Sequence, residues 1–157
     1  MRLSATSGVL LLLASAAAPT FAAESAEERL AWLERAPDVL LVTVDTLRAD
    51  HLSVAGYERP TTPNLDRLLG SGVRFEVARA VEPLTNPSLT SLLSSLPPHR
   101  HGATRNGIPA RPDLVSLPGI LERRGYATAA ILGNWTLRDE LSGLARHFET
   151  YRVIESR

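Results

Sequence analysis

The chain has 157 residues, of which 44% are hydrophobic, and its formal net charge at neutral pH is zero. This length and composition predict one globular domain of ordinary size, and the neutral balance gives no electrostatic basis for binding nucleic acid. Cysteine is absent, and arginine supplies all the basic side chains other than histidine. Disulfides, thiolate catalysis, Cys-bound zinc and lysine Schiff bases are therefore excluded for this chain.

The first residues form a pattern typical of an export signal. A basic Arg2 precedes an apolar run at 8–18, which is shorter than the roughly 20 residues of a membrane-spanning helix. Small residues at Thr20 and Ala22 predict cleavage near Ala23. We divide the chain into a signal peptide at 1–23, a linker helix at 24–37 and a main domain at 38–157. An exported protein, periplasmic or secreted, without a stable membrane anchor after signal cleavage, is expected.

Strands and helices are predicted to alternate through the main domain. Its apolar and β-branched runs predict strands at 38–46, 73–81 and 126–133. Proline near the start indicates helices at 61–72 and 84–96, and glycine near the end indicates helices at 61–72 and 114–125. Residues 99–113 have the composition of a loop, so His99 and His101 are interpreted as loop residues rather than metal ligands. This alternation predicts an α/β fold with a mostly parallel sheet.

Two side chains are candidates for chemistry. Asp45 ends the first predicted strand, where functional residues of parallel sheets gather, and its carboxylate suits a divalent cation. The alternative is that Asp45 caps a turn or pairs with Arg48. Thr85 lies at a predicted helix start, where N–H groups attract anions and a hydroxyl can attack a phosphoryl or sulfuryl centre. The alternative is a simple helix cap.

Several separated motifs resemble the amino-terminal part of a sulfatase, in the alkaline phosphatase superfamily. They are "PDVLLVTVDTLRADHLSVAGYERPTTPNLDRLLGSGVRFEVARA" and "LTNPSLTSLLSSLPPHRHG", followed by "GYATAAILGNW" and "GLARHFETY". The resemblance implies an alkaline-phosphatase-like α/β sandwich with a central, mostly parallel sheet, incomplete in this chain. It also implies that Asp45 is a metal ligand and that Thr85 occupies the place of the nucleophile in a Cys/Ser-x-Pro-Ser-Arg motif.

The chain departs from the family pattern at several positions. Threonine replaces the Cys or Ser that becomes formylglycine, so formylglycine is not expected. Leu89 stands at the motif's arginine, and Thr46 stands where many members have a second metal-binding aspartate. Asn134 and Thr136 occupy the places of a lysine and a histidine that bind sulfate.

The resemblance implies a metal-dependent hydrolase of sulfuric esters that acts on a sulfate- or phosphate-ester substrate. The expected cofactor is a divalent metal ion, Ca²⁺ by family, or Zn²⁺ or Mn²⁺ for a phosphoryl enzyme. One alternative is a Thr-dependent phosphoryl hydrolase or phosphoethanolamine-type transferase, and another is a non-catalytic truncated remnant. Because further metal ligands of the family lie later in the sequence, the 157-residue chain alone is expected to be inactive.

Overall fold

The computed structural model describes residues 36–154, together with Ser25 and Ala31. The predicted signal peptide at 1–23 and most of the predicted linker helix lie outside the described residues. The described chain forms two compact units, Ala36–Ala80 and 81–154, and each is described by itself. Within this part of the chain, no helix is long and apolar enough to cross a membrane.

The first unit is built around one short helix. Two 3-10 turns, Ala49–His51 and Ser53–Ala55, precede helix α1 at Pro63–Leu69. The Asp66 carboxylate on α1 accepts hydrogen bonds from the Ser53 hydroxyl (2.5 Å), the Thr62 hydroxyl (3.0 Å) and the Val54 N–H (3.2 Å). These bonds favour the charged form, so they lower the pKa of Asp66, most strongly through Ser53. They also hold the 3-10 turn against the start of α1.

The strands predicted at 38–46 and 73–81 are not present in the first unit. Leu40, Val42 and Val44 are all exposed, and residues 73–81 are exposed throughout. Sequence indicates which residues suit a strand, but a strand exists only where a second strand pairs with its backbone. Neither segment has such a partner among the described residues, so both strand predictions are wrong for this structure.

The second unit carries the predicted alternation of helices and strands. Its helices are α2 at Thr85–Ser94, α3 at Pro98–His101, α4 at Leu117–Arg123 and α5 at Asp139–Ser142. Its strands are β1 at Ala129–Leu132 and β2 at Thr150–Val153, and 3-10 turns lie at Trp135–Leu137 and Ala145–His147. The helices predicted at 84–96 and 114–125 and the strand predicted at 126–133 are therefore confirmed, in shorter form.

The two strands pair in parallel, which confirms the predicted sheet type. Ala129 lies opposite Thr150, and the register continues to Leu132 opposite Val153. A reciprocal pair of bonds fixes the start of this ladder. The Thr128 N–H donates to the Glu149 carboxylate (3.1 Å), and the Glu149 N–H donates to the Thr128 hydroxyl (3.0 Å). Because slipping by one residue would break both bonds, this pair specifies the register.

The second unit contains a small cluster of buried apolar side chains. Ala103, Ala110 and Leu114 pack together, with the partly buried Leu96 against them. The face of α2 that is buried is largely polar, because it consists of Asn86, Pro87, Thr90, Ser91 and Leu93. Hydrogen bonds rather than apolar contacts must therefore compensate for much of the burial of α2.

Candidate active site

Thr85 is the first residue of helix α2 and is half-buried. The residue at the N-cap position is Leu84, which has an extended backbone and no side-chain oxygen to accept a hydrogen bond. The structure therefore does not place Thr85 at the N-cap position. Because α2 runs for ten residues, its aligned peptide dipoles place partial positive charge next to Thr85.

Asn86, which follows Thr85, is fully buried and hydrogen-bonded through both ends of its amide. Its Nδ2 donates to the backbone carbonyls of Ile108 (2.9 Å) and Leu141 (3.3 Å), and its Oδ1 accepts from the Thr90 hydroxyl (3.2 Å). The Asn86 N–H donates to Oδ1 of Asn106 (2.9 Å). The first turn of α2 is thus joined to two other segments of the second unit.

One turn further along, α2 is joined to helix α3 by a buried histidine. Nε2 of His101 lies 2.9 Å from the Ser91 hydroxyl, and Nδ1 accepts a hydrogen bond from the Ala103 N–H (3.1 Å). Since Nδ1 is an acceptor, a neutral ring carries its proton on Nε2 and donates it to Ser91. Burial lowers the pKa of His101, and the contact with the Pro87 carbonyl offsets this only in part.

The predicted loop containing His99 and His101 is therefore partly helical. His101 is buried at the end of α3, whereas His99 and Arg100 on the same helix are exposed. The three adjacent side chains do not converge.

The segment at 134–136, which is expected from the resemblance to occupy sulfate-binding positions, packs against α2. The 3-10 turn Trp135–Leu137 contacts α2, and Asn134 immediately precedes it. Oδ1 of Asn134 accepts hydrogen bonds from the N–H (2.9 Å) and the hydroxyl (2.8 Å) of Thr136. Both positions thus belong to the unit that contains Thr85. They carry neutral side chains, so neither supplies a positive charge to an anion.

Asp45 lies in the first unit, in a turn with Thr46, and is exposed. Thr46 has a φ of 57°, in the left-handed region that non-glycine residues seldom adopt. The neighbouring Arg48 forms its ion pair with Asp50, with Nη2 and Oδ2 2.6 Å apart. Among the described residues, no group of three or more His, Cys, Asp or Glu side chains is placed to hold a metal ion.

Comparison with known proteins identifies the family. The family model described as Sulfatase matches residues 37–149, which is most of the chain. The chain belongs to the sulfatase family. It is 33% identical over 107 residues to N-acetylglucosamine-6-O-sulfatase of Bacteroides thetaiotaomicron, covering 68% of this chain and 19% of that protein. It is 36% identical over 109 residues to arylsulfatase A of Bos taurus, covering 64% of this chain and 21% of that protein.

A third sulfatase gives a similar result. Steryl-sulfatase of Mus musculus is 34% identical over 116 residues, covering 66% of this chain and 18% of that protein. The chain spans about a fifth of the length of these curated relatives. No solved structure matches it. The mixture of helices with a small parallel sheet is consistent with part of an alkaline-phosphatase-like sulfatase domain.

The structural roles of three residues do not follow from sequence alone. Asn86, Asn106 and His101 form hydrogen bonds that fix α2, whereas the sequence predicts His101 to be a loop residue and gives no role to the two asparagines. One signal was available, because Asn86 and Thr90 are four residues apart and so share a helix face. Polar residues on a helix face next to a candidate nucleophile indicate a network rather than a solvated surface.

Proposed function

We propose that this chain is the nucleophile-bearing portion of a sulfatase-type hydrolase that cleaves sulfate esters. The observation that carries this proposal is the position of Thr85 as the first residue of the ten-residue helix α2. A hydroxyl at this position is close to the positive end of the helix dipole, which favours a bound anionic ester. Membership of the sulfatase family supports the sulfate ester as substrate.

Threonine restricts the chemistry available to this enzyme. In the proposed step, Thr85 Oγ1 attacks sulfur, the bond from sulfur to the alcohol oxygen breaks, and the hydroxyl proton ends on the released alcohol. Water then attacks sulfur, the bond from sulfur to Thr85 Oγ1 breaks, the group leaves as hydrogensulfate, and a proton from the water restores the hydroxyl. Formylglycine is not expected, because oxidation of a threonine Cβ gives a ketone rather than an aldehyde.

The single hydroxyl of Thr85 also supports a second candidate function. A phosphoryl hydrolase or a phosphoethanolamine-type transferase needs only one hydroxyl, which attacks phosphorus directly and passes the group to water or another alcohol. The same helix start would hold the ester oxygens in either case. Assaying both ester classes side by side therefore decides between these functions.

We also propose Asp45 as one ligand of a divalent metal ion, Ca²⁺ for a sulfatase and Zn²⁺ or Mn²⁺ for a phosphoryl enzyme. Ca²⁺ takes roughly 6–8 oxygen ligands. The described residues contain no cluster of three or more candidate ligands, so by themselves they do not fit a metal site. No step of the proposed reaction is therefore assigned to the metal.

The signal-peptide pattern at the start of the sequence supports export of the protein. We propose that residues 1–23 are removed as a signal peptide, that 24–37 is a linker, and that 38–157 belongs to the sulfatase domain. The protein would then act outside the cytoplasm. Intact-mass measurement of the exported protein is expected to show a chain that begins near Ala23 or Glu24, and retention of Met1 would contradict this.

The decisive experiment substitutes Thr85→Ala in the protein expressed from its own gene. Aryl sulfates and phosphodiesters are assayed with added Ca²⁺, Mn²⁺ or Zn²⁺, and turnover is expected to be lost in this variant. The matched control is Thr104→Ala, since Thr104 is an exposed threonine of the same unit. Unchanged turnover in Thr85→Ala would refute the proposal. Turnover of phosphodiesters alone would establish the phosphoryl function, and no turnover of either class by the unmodified protein would indicate a non-catalytic remnant.

A further inference from the structure

The N-cap residue of helix α2 leaves the helix start uncapped by its own side chain. The Leu84 side chain cannot accept a hydrogen bond, and Pro87, the third helical residue, has no N–H to satisfy. The N–H of Asn86 is one of the donors that a helix start leaves without an intrahelical partner. Oδ1 of Asn106 accepts from it at 2.9 Å. A residue twenty positions later in the chain thus caps α2.

The same loop contacts Asn86 a second time. The carbonyl of Ile108 accepts from the Asn86 side chain (2.9 Å), so residues 106–108 bind both the backbone and the amide of one residue. The Leu141 carbonyl on α5 accepts from the same Nδ2 (3.3 Å). The loop is also joined directly to α5, because the Ala110 N–H donates to the Ser142 carbonyl (2.9 Å).

We propose that Asn106 and Asn86 are a pair of positioning residues for Thr85. Asn86 is hydrogen-bonded through both its backbone N–H and its side chain, and Thr85 is joined to it by one peptide bond. The backbone of Thr85 therefore cannot shift without breaking hydrogen bonds to the loop or to α5. The pair thereby fixes where the Thr85 hydroxyl lies at the helix start. This inference rests on the proposed function of Thr85 as the nucleophile.

Asn106 is the better residue to substitute, because it is exposed whereas Asn86 is fully buried. Asn106→Ala removes the acceptor for the Asn86 N–H without emptying a core position. Asn106→Asp retains an acceptor oxygen at the same place, and its charge is favourable next to a helix start. The aspartate would, however, repel an anionic ester. The two variants therefore separate the positioning of Thr85 from the binding of substrate.

The first measurement does not depend on activity. Amide hydrogen exchange at Asn86 in the 157-residue chain is expected to be about tenfold faster in Asn106→Ala, and close to the unsubstituted rate in Asn106→Asp. Thr104→Ala, on the same loop, is the matched control and should leave this rate unchanged. An unchanged Asn86 rate in Asn106→Ala, or equal acceleration in the Ala and Asp variants, would overturn the inference.

The second measurement is the ester-hydrolysis assay on the protein expressed from its own gene. In Asn106→Ala, kcat is expected to fall about 10- to 100-fold with little change in KM, because misplacing a reacting group lowers the rate of the chemical step. In Asn106→Asp, kcat should recover while KM rises. If Asn106→Ala keeps full kcat while Thr85→Ala is inactive, the inference is overturned but the proposed function stands. Full turnover in Thr85→Ala would instead refute the proposed function and, with it, the catalytic meaning of the pair.

Discussion

The second unit is expected to lose stability as the pH falls below about 6.5, because two of its buried histidines are held in the neutral form. Burial is the main reason that the pKa values of His101 and His147 are lowered. Arg146 lowers the pKa of His147 further, and Asp139 partly offsets this. Protonating His101 also adds a hydrogen to Nδ1, which now accepts from the Ala103 N–H.

The sign and size of this effect follow from proton linkage. When the folded pKa lies below the unfolded value, the unfolded chain binds more protons, so stability is complete above the unfolded pKa. It is lost as the pH falls from that value toward the folded pKa. Each histidine contributes at most about 1.4 kcal/mol per pH unit in this window. The two together should lower the free energy of unfolding by at most about 2.7 kcal/mol per pH unit.

Urea denaturation followed by circular dichroism at several pH values between 7 and 5 measures this slope. His101→Gln and His147→Gln should each remove about half of it, whatever their effect on stability at pH 7. The control is His99→Gln, which replaces an exposed histidine whose charge is the least of the influences on the pKa of His101, so the slope should change little. The linkage to these histidines would be refuted if the free energy of unfolding did not vary with pH. It would also be refuted if a variant carrying both His101→Gln and His147→Gln kept the same slope.

Two further predictions concern the sheet and the first unit. Thr128→Val should lower the free energy of unfolding by about 1 kcal/mol in urea denaturation, because the Glu149 N–H loses its acceptor, whereas Thr150→Val at an exposed position should have little effect. Light scattering should show self-association of the 157-residue chain, because the apolar side chains of Leu40 and Val42 are 75% and 53% exposed. Replacing both residues by Ser should reduce this self-association. A monodisperse unsubstituted chain would contradict the second prediction.

The elements predicted correctly are those with local signals. Helix α1 has Pro63 at its first position and ends beside Gly70, and α4 has the N-cap Ser116, whose hydroxyl accepts from the Gly119 N–H (3.3 Å). Each signal acts within one or two turns of chain. The strands predicted at 38–46 and 73–81 had suitable composition, but a strand also requires a partner that local sequence does not supply.

The same distinction applies to the candidate site. The position of Thr85 at a helix start could be predicted because the residues next to it mark that start. The long-range bonds of Asn86 could not, because those partners lie 20, 22 and 55 residues away along the chain. Buried amides make such long-range contacts only when the fold brings a carbonyl to each donor, and one sequence does not reveal which carbonyl that will be.

The hydrogen bonds that Asn86 and Ser91 make from the buried face of α2 explain why this helix packs in one arrangement. Dispersion forces are non-directional, so an apolar face constrains a helix only through how closely its side chains fit those of its neighbours. Hydrogen bonds depend on distance and angle, so the bonds of Asn86 and Ser91 fix both the rotation of α2 about its axis and its position along that axis.

Such a network stabilises one arrangement only if its members are satisfied. Among the described residues, His147 Nε2 is the buried side-chain atom without a hydrogen-bond partner, and it belongs to the 3-10 turn after α5 rather than to the network. The groups that hold the start of α2 all have partners. A helix fixed in this way can present Thr85 at one defined place, which is the geometric condition that a nucleophile requires.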